Sequence, residues 1–281
     1  MTPFPAIPGP ETYALNMSNA MQVVATVGLW GGTIALLLYT LKLAREEQSP
    51  LPVLIVLSVA AGSIIEPIYD TVYHLYWLGA DAQGHGEQWT LFTAFGLPQP
   101  VWVMPAYVIV FGLPAVLLYR RLAAGATLQT IFTFAGLFAF TTALFETIAV
   151  NTHLYTYYGE APVRLLKYPL FIAFTETAQI TGFAILCAVL KLRATKPVHC
   201  LVLFMVFPAN FVFDIFGAGF PTLIAMNAPH PSKALMTLMV PITLALAAAG
   251  VWWTSQLLFM TQRLNQLEAA AAPVERIPAQ L

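Results

Sequence analysis

Residues 51–78 read LPVLIVLSVAAGSIIEPIYDTVYHLYWL, a long apolar run that no lysine or arginine interrupts. It exceeds the roughly 20 residues that a helix needs to cross about 30 Å of hydrocarbon. Yet it carries Glu66 and Asp70. An ionised carboxylate in hydrocarbon is expensive even on lenient insertion scales. The two acids must therefore face a protein interior, hold a proton, bind a metal or line a water-filled path. The combination recurs along the chain. Comparable runs occupy Met21–Leu43, Val101–Tyr119, Leu128–Tyr155, Tyr168–Leu192, Val198–Met226 and Leu235–Met260, and three of them enclose Glu146, Glu176 and Asp214. No basic residue lies at matching depth.

With 59% apolar and 9% charged residues, the chain has too little polar surface to coat a soluble globule. Runs this long exceed the strands of a membrane barrel, and a helix satisfies its own backbone groups in lipid. The expected fold is all-α: a polytopic membrane protein built as a seven-transmembrane-helix bundle, with residues 1–262 as a single domain. Lys42, Arg45, Arg120, Arg121, Lys191, Arg193, Lys196, Arg263 and Arg276 fall on one side of such a bundle, and only Arg164, Lys167 and Lys233 on the other. That bias places the N-terminus outside and the C-terminus in the cytoplasm. Residues 79–98 form an outer loop rich in aromatics, long enough to act as a lid. Residues 263–281 read as a frayed cytoplasmic tail. The location implied is a cell membrane or endomembrane, and no nucleic-acid partner is expected.

Glu66, Asp70 and His74 are spaced i, i+4, i+8, which stacks them along one helix face. Tyr69 and Tyr73 flank that stripe, and Pro67 removes a backbone donor beside Glu66, a break of the kind that borders cavities. Three ionisable groups on one stripe favour a site over a purely structural polar seam. The fourth run echoes the second: Glu146 precedes His153-Leu154-Tyr155 and Gly159, as Glu66 precedes His74-Leu75-Tyr76 and Gly79. Both runs point the same way, so the echo reads as a parallel internal repeat.

In the fifth and sixth runs, Glu176 is followed by Gln179, and Asn210 lies one turn from Asp214. Aromatic rings accompany the acids: Phe145 beside Glu146, Phe174 near Glu176, Phe213 beside Asp214, and Trp102 at the head of the third run. Many such rings serve as interface belts and core filling. A ring beside a carboxyl group also strips it of water, and a carboxylic acid that keeps its proton can act as a general acid. The catalytic candidates are Glu66, Asp214, Glu146, Glu176 and Asp70. The substrate-binding candidates are Tyr69, Tyr73, His74, Trp102, Phe145, Asn151, His153, Phe174, Gln179, Asn210 and Phe213.

Acids within an aromatic-walled membrane cavity suit acid-initiated cyclisation or isomerisation of a lipophilic, terpenoid or polyketide-like substrate. One acid protonates an alkene, epoxide or ketone, ring faces stabilise the cation, and a second carboxylate removes a proton. Such chemistry calls for no metal or other cofactor, and the expected partners are membrane lipid and the lipophilic substrate. The mid-helix Glu66-Pro67, the Pro-Val-Trp-Val-Met-Pro stretch from Pro100 to Pro105 and the Tyr-Tyr-Gly from Tyr157 to Gly159 resemble polytopic proteins related to the avermectin spirocyclase. An acid in an early helix paired with one in a late helix also resembles the small integral-membrane terpene cyclases of meroterpenoid pathways. That resemblance implies Glu66 and Asp214 as the catalytic pair. Two other classes stay open. The carboxylates with His74 and His153 have the composition of a two-metal site in a helix bundle, though no Glu-x-x-His pair is present. Buried acids on several helices also fit a proton-coupled transporter or a receptor.

Overall fold

Seven helices long and apolar enough to cross a membrane dominate the computed structural model, which describes residues 16–81 and 83–271. They are α1 (Asn19–Glu47), α2 (Leu51–Tyr73), α3 (Val103–Ala123), α4 (Leu128–Asn151), α5 (Phe171–Arg193), α6 (Pro197–Met226) and α7 (Lys233–Ala271). Their ends follow from local chemistry. Ser18 Oγ accepts the Met21 N–H at 3.4 Å and Thr127 Oγ1 accepts that of Thr130 at 3.1 Å, satisfying donors that a helix start leaves open. His74 and His153, both at φ 59°, close α2 and α4 in the left-handed conformation. These two helices therefore stop at Tyr73 and Asn151, short of the expected Leu78 and Tyr155.

The bundle is inside-out relative to a soluble protein. Glu66, Asp70, Glu176 and Asp214 are buried, whereas Val24, Val27, Ile34 and Leu38 of α1 point outward. In the most apolar stretch of α5, 83% of residues are buried against 17% in α1, so α5 is the central post. It packs against α3, α4, α6 and α7, while α2 joins α1, α3 and α6. The consecutive helices α3 and α4 both lean on α5 and scarcely touch each other.

Helix geometry breaks beside Glu66 and at Asp214. Ser63–Ile65 tighten into a 3-10 turn immediately before Glu66 and Pro67, where the missing proline N–H was expected to disturb α2. Wider π turns occupy Val108–Gly112 of α3 and Phe213–Gly219 of α6, the latter holding Asp214. Such turns recur at functional sites.

The purely helical expectation omits three two-stranded ribbons at one end of the bundle. Strand β1 (Leu75–Trp77) pairs antiparallel with β4 (Tyr155–Tyr157), in register Tyr76 to Thr156. Hairpins join β2 (Thr90–Ala94) to β3 (Leu97–Pro100) and β5 (Arg164–Leu165) to β6 (Tyr168–Pro169). The sequence echo has a geometric counterpart: each copy runs helix, left-handed histidine, strand and a positive-φ glycine, Gly79 or Gly159. The two copies meet strand to strand.

The 79–98 loop is the β2–β3 hairpin with its lead-in, and it is fastened down. Gln22 of α1 donates from Nε2 to the Glu87 carbonyl at 3.1 Å and accepts the Trp89 N–H at 2.7 Å. Helix α7 does not fray at Arg263 but continues to Ala271, where Glu268 meets Arg193 at 2.9 Å. The rest of the expected tail, 272–281 with Arg276, lies outside the described residues.

Candidate functional site

The interior near the ribbons is organised around carboxyl groups, and four of the five expected acids accept a hydrogen bond from a tyrosine. Tyr107 Oη of α3 donates to Glu66. Tyr69 Oη donates to Glu176 Oε1 at 2.8 Å, Tyr157 Oη to Glu146 Oε2 at 3.0 Å and Tyr73 Oη to Asp214 Oδ1 at 3.3 Å. Asp70 is held instead by Gln99 Nε2 at 2.6 Å and Trp77 Nε1 at 2.9 Å, both on Oδ2. Its Oδ1 finds no partner among the described residues, and Glu66 stands one turn earlier on the same helix.

Glu66, Glu146 and Glu176, from three different helices, line one cavity of about 50 Å³. Tyr69, Trp102 and Phe145 line it as expected, with Tyr107, Phe111, Trp77, Tyr155 and Tyr157 in addition. No lining residue is basic. The space takes a reacting group with a few waters, not a whole lipophilic molecule. Two polar atoms at its wall, Trp102 Nε1 and Glu176 Oε2, find no partner among the described residues. Together they offer a ligand one donor and one carboxyl oxygen.

Tyr155 and Tyr157, just beyond the end of α4, have their phenol pKa pushed well above the ordinary value, by burial first and by nearby Glu146 second. Burial does the same to Tyr168. These hydroxyls therefore stay donors at any working pH. The sequence offered a signal for this set: tyrosines recur at the ends of α2 and α4 beside the acids, but interface belts have the same composition.

Other expected site residues sit elsewhere. Asp214 is fully buried behind Tyr73, and its Oδ2 is unpartnered among the described residues. It is not among the residues that line the cavity; the rings of Tyr69 and Tyr73, whose hydroxyls hold Glu176 and Asp214, lie 4.2 Å apart. Asn151 turns back to the Thr147 carbonyl of its own helix at 2.7 Å. His153 is exposed, and its carbonyl receives the Ser18 N–H at 3.2 Å. Phe174 faces a groove between α4, α5 and α7, and Phe213 one between α5, α6 and α7. Asn210 Nδ2 donates to the Gln179 carbonyl at 2.6 Å and ties α6 to α5, while the Gln179 amide finds no partner among the described residues.

His74 is a strut between helices. Asn227 Nδ2 donates to the carbonyls of Val72 and Leu223, each at 3.0 Å, which turns its Oδ1 toward His74 Nε2 at 3.0 Å. The imidazole must then carry its proton on Nε2. Burial lowers the His74 pKa, partly offset by the Asn227 bond, and Tyr158 stacks on the ring at 5.0 Å.

Among the described residues, no group of three or more His, Cys, Asp and Glu side chains could hold a metal ion. The metalloenzyme alternative thus gains no ligand set from the geometry. Comparison with protein-family models, curated proteins and solved structures found no match.

Proposed function

We propose that the chain is an integral-membrane cyclase or isomerase, with the ribbon end facing outward and the basic end facing the cytoplasm. Its substrate is a lipophilic molecule whose reactive group enters the glutamate cavity. One observation carries this reading: three carboxyl groups from separate helices converge on one small aromatic-walled cavity that no cation lines. Carboxyl groups so placed have no cation beside them to pair with and can exchange protons with a bound group.

Glu66, held by Tyr107 and one turn from Asp70 on α2, is the proposed donor to an alkene, epoxide or carbonyl of the substrate. The π faces of Trp77, Trp102 and Tyr155 steady the resulting cation. Glu146 or Glu176, ionised at the start, removes a proton from a neighbouring carbon, so the product is an isomer of the substrate; that proton then passes back to Glu66 within the shared cavity, which restores both acids. Asp214 is then a supporting acid, which revises the Glu66 and Asp214 pairing that the family resemblance implies.

The test begins with mass spectrometry of lipophilic molecules that co-purify with the protein in nanodiscs. Candidates are offered back to wild type and to Glu66→Gln, Glu146→Gln and Glu176→Gln. Turnover that depends on the three glutamates supports the proposal. Equal turnover in all four proteins defeats it, and proton uptake in liposomes without turnover favours the transporter alternative.

A further inference from the structure

The cavity is too small for the substrate class just proposed, so most of a lipophilic molecule must lie elsewhere. Three apolar grooves on the bundle could receive it. The largest, about 500 Å³ between α5, α6 and α7, and another of about 220 Å³ between α4, α5 and α7, share no lining residue with the glutamate cavity. The third, about 320 Å³ between α3 and α4 with Ile180 of α5 behind it, shares Val110 and Phe145 with that cavity.

Helix periodicity explains the continuity. Thr142 and Phe138 in the groove precede Glu146 by one and two turns on α4, and Ile180 follows Glu176 by one turn on α5. The groove is therefore the downward extension of the same helix faces that carry the acids. It runs toward the basic end for about 10 Å, the rise from Val110 to Leu117 of α3. Its walls are apart because α3 and α4 lean on α5 and not on each other. The π turn Val108–Gly112 forms the junction, with Ile109 and Val110 on the groove and Phe111 on the cavity.

We infer that the α3–α4 groove seats the apolar chain of a single-chain substrate drawn sideways from the bilayer, its polar or reactive end passing Phe145 to reach the glutamates. The occupant is a single-chain lipophile because the groove is apolar along its length and ends at a cavity that admits only one small polar group. This inference rests on the glutamate cavity being the reacting site.

The experiment uses the full chain in nanodiscs and a medium-chain primary alcohol bearing a diazirine either beside the hydroxyl or at the far methyl end. After photolysis, adducts are mapped by peptide mass spectrometry. The near-hydroxyl probe is expected on the Glu146 or Glu66 peptides and the far-end probe on groove residues such as Leu113, Leu117 and Leu137. Thr142→Phe and Leu137→Trp, which fill the groove, should each cut far-end labelling there several-fold. Leu257→Trp, on an exposed face of α7, should leave it unchanged. Far-end labelling spread evenly over the outward-facing helices, concentrated in the α5–α6–α7 groove, or insensitive to both filling variants would overturn the inference. Labelling needs no turnover, so the two readings fail separately. Acid-dependent turnover without groove labelling removes the groove alone; groove labelling with acid-independent turnover removes the proposed chemistry alone.

Discussion

Tyr69 of α2 donates to Glu176 Oε1 of α5 at 2.8 Å, and Glu176 Oε2 has no partner among the described residues. This bond joins the central helix to the broken helix beside it and fixes which carboxyl oxygen faces the cavity. Tyr69→Phe removes the only donor among the described residues that reaches Glu176 Oε1, and leaves that buried carboxyl group without a hydrogen bond from any of them. A bond to such a group is worth about 1.5–3 kcal/mol. Thermal unfolding in nanodiscs should show a loss of that order, with reduced turnover. Tyr73→Phe should cost less, because its bonds to Thr175 and Asp214 are both 3.3 Å. Equal stability of Tyr69→Phe and wild type would mean that this bond holds nothing in place.

The acids should separate into two classes. Glu66→Gln, Glu146→Gln and Glu176→Gln keep shape but remove the transferable proton, and each should lower turnover by roughly 10² or more, as expected for a general acid or base. Asp214→Asn should act mainly through the position of Tyr73, with a smaller effect on turnover that Asp214→Glu does not rescue. If Asp214→Asn proves as damaging as the glutamate variants while unfolding normally, Asp214 belongs with the reacting acids.

The helical skeleton and the acid positions were legible because cost is local: a carboxyl group inside an apolar run has few places to go. What escaped the sequence depends on tertiary partners. Tyr107 was legible as an aromatic in α3, but its contact with Glu66 depends on how α3 packs on α2. The ribbons were hidden because Leu75–Trp77 and Tyr155–Tyr157 continue an apolar run, and only the left-handed histidines end the helices. Phe174 and Phe213 line other grooves, because sequence adjacency to an acid says nothing of direction: neighbouring residues on a helix point about 100° apart.

At the basic end, Glu47 closes α1 beneath three partners. Lys191 Nζ lies 2.5 Å away, Arg120 Nε 3.0 Å and Tyr119 Oη 2.7 Å, so the ends of α1, α3 and α5 meet on one carboxylate. The Glu47 side chain is 6% exposed, but those of Lys191 and Arg120 are 31% and 50% exposed, and water screens part of the attraction. Glu47→Gln should lower stability by about 1–3 kcal/mol, read as a fall in Tm without loss of turnover per folded molecule. Glu47→Asp should recover little, since the shorter side chain cannot span all three partners. An unchanged Tm would show that the cluster is held by the helices and not the reverse.

The last prediction concerns pH. His74 titrates at an ordinary 6.5 when unfolded, and in the fold burial lowers that value. Between the two values the unfolded chain binds more protons than the native one, so stability rises with pH across that window. In the acid direction, stability should hold above about pH 6.5 and decline as the pH falls below it, levelling off once the native imidazole is also protonated. The decline has a structural cause: a proton on Nδ1 would place a charge in a buried site whose other nitrogen is already committed to Asn227. His74→Gln keeps a donor for Asn227 Oδ1 and removes the titration, so its unfolding midpoint should vary less between pH 7.5 and 5 than that of wild type. Identical pH profiles for the two proteins would show that acid sensitivity, if any, arises at another group.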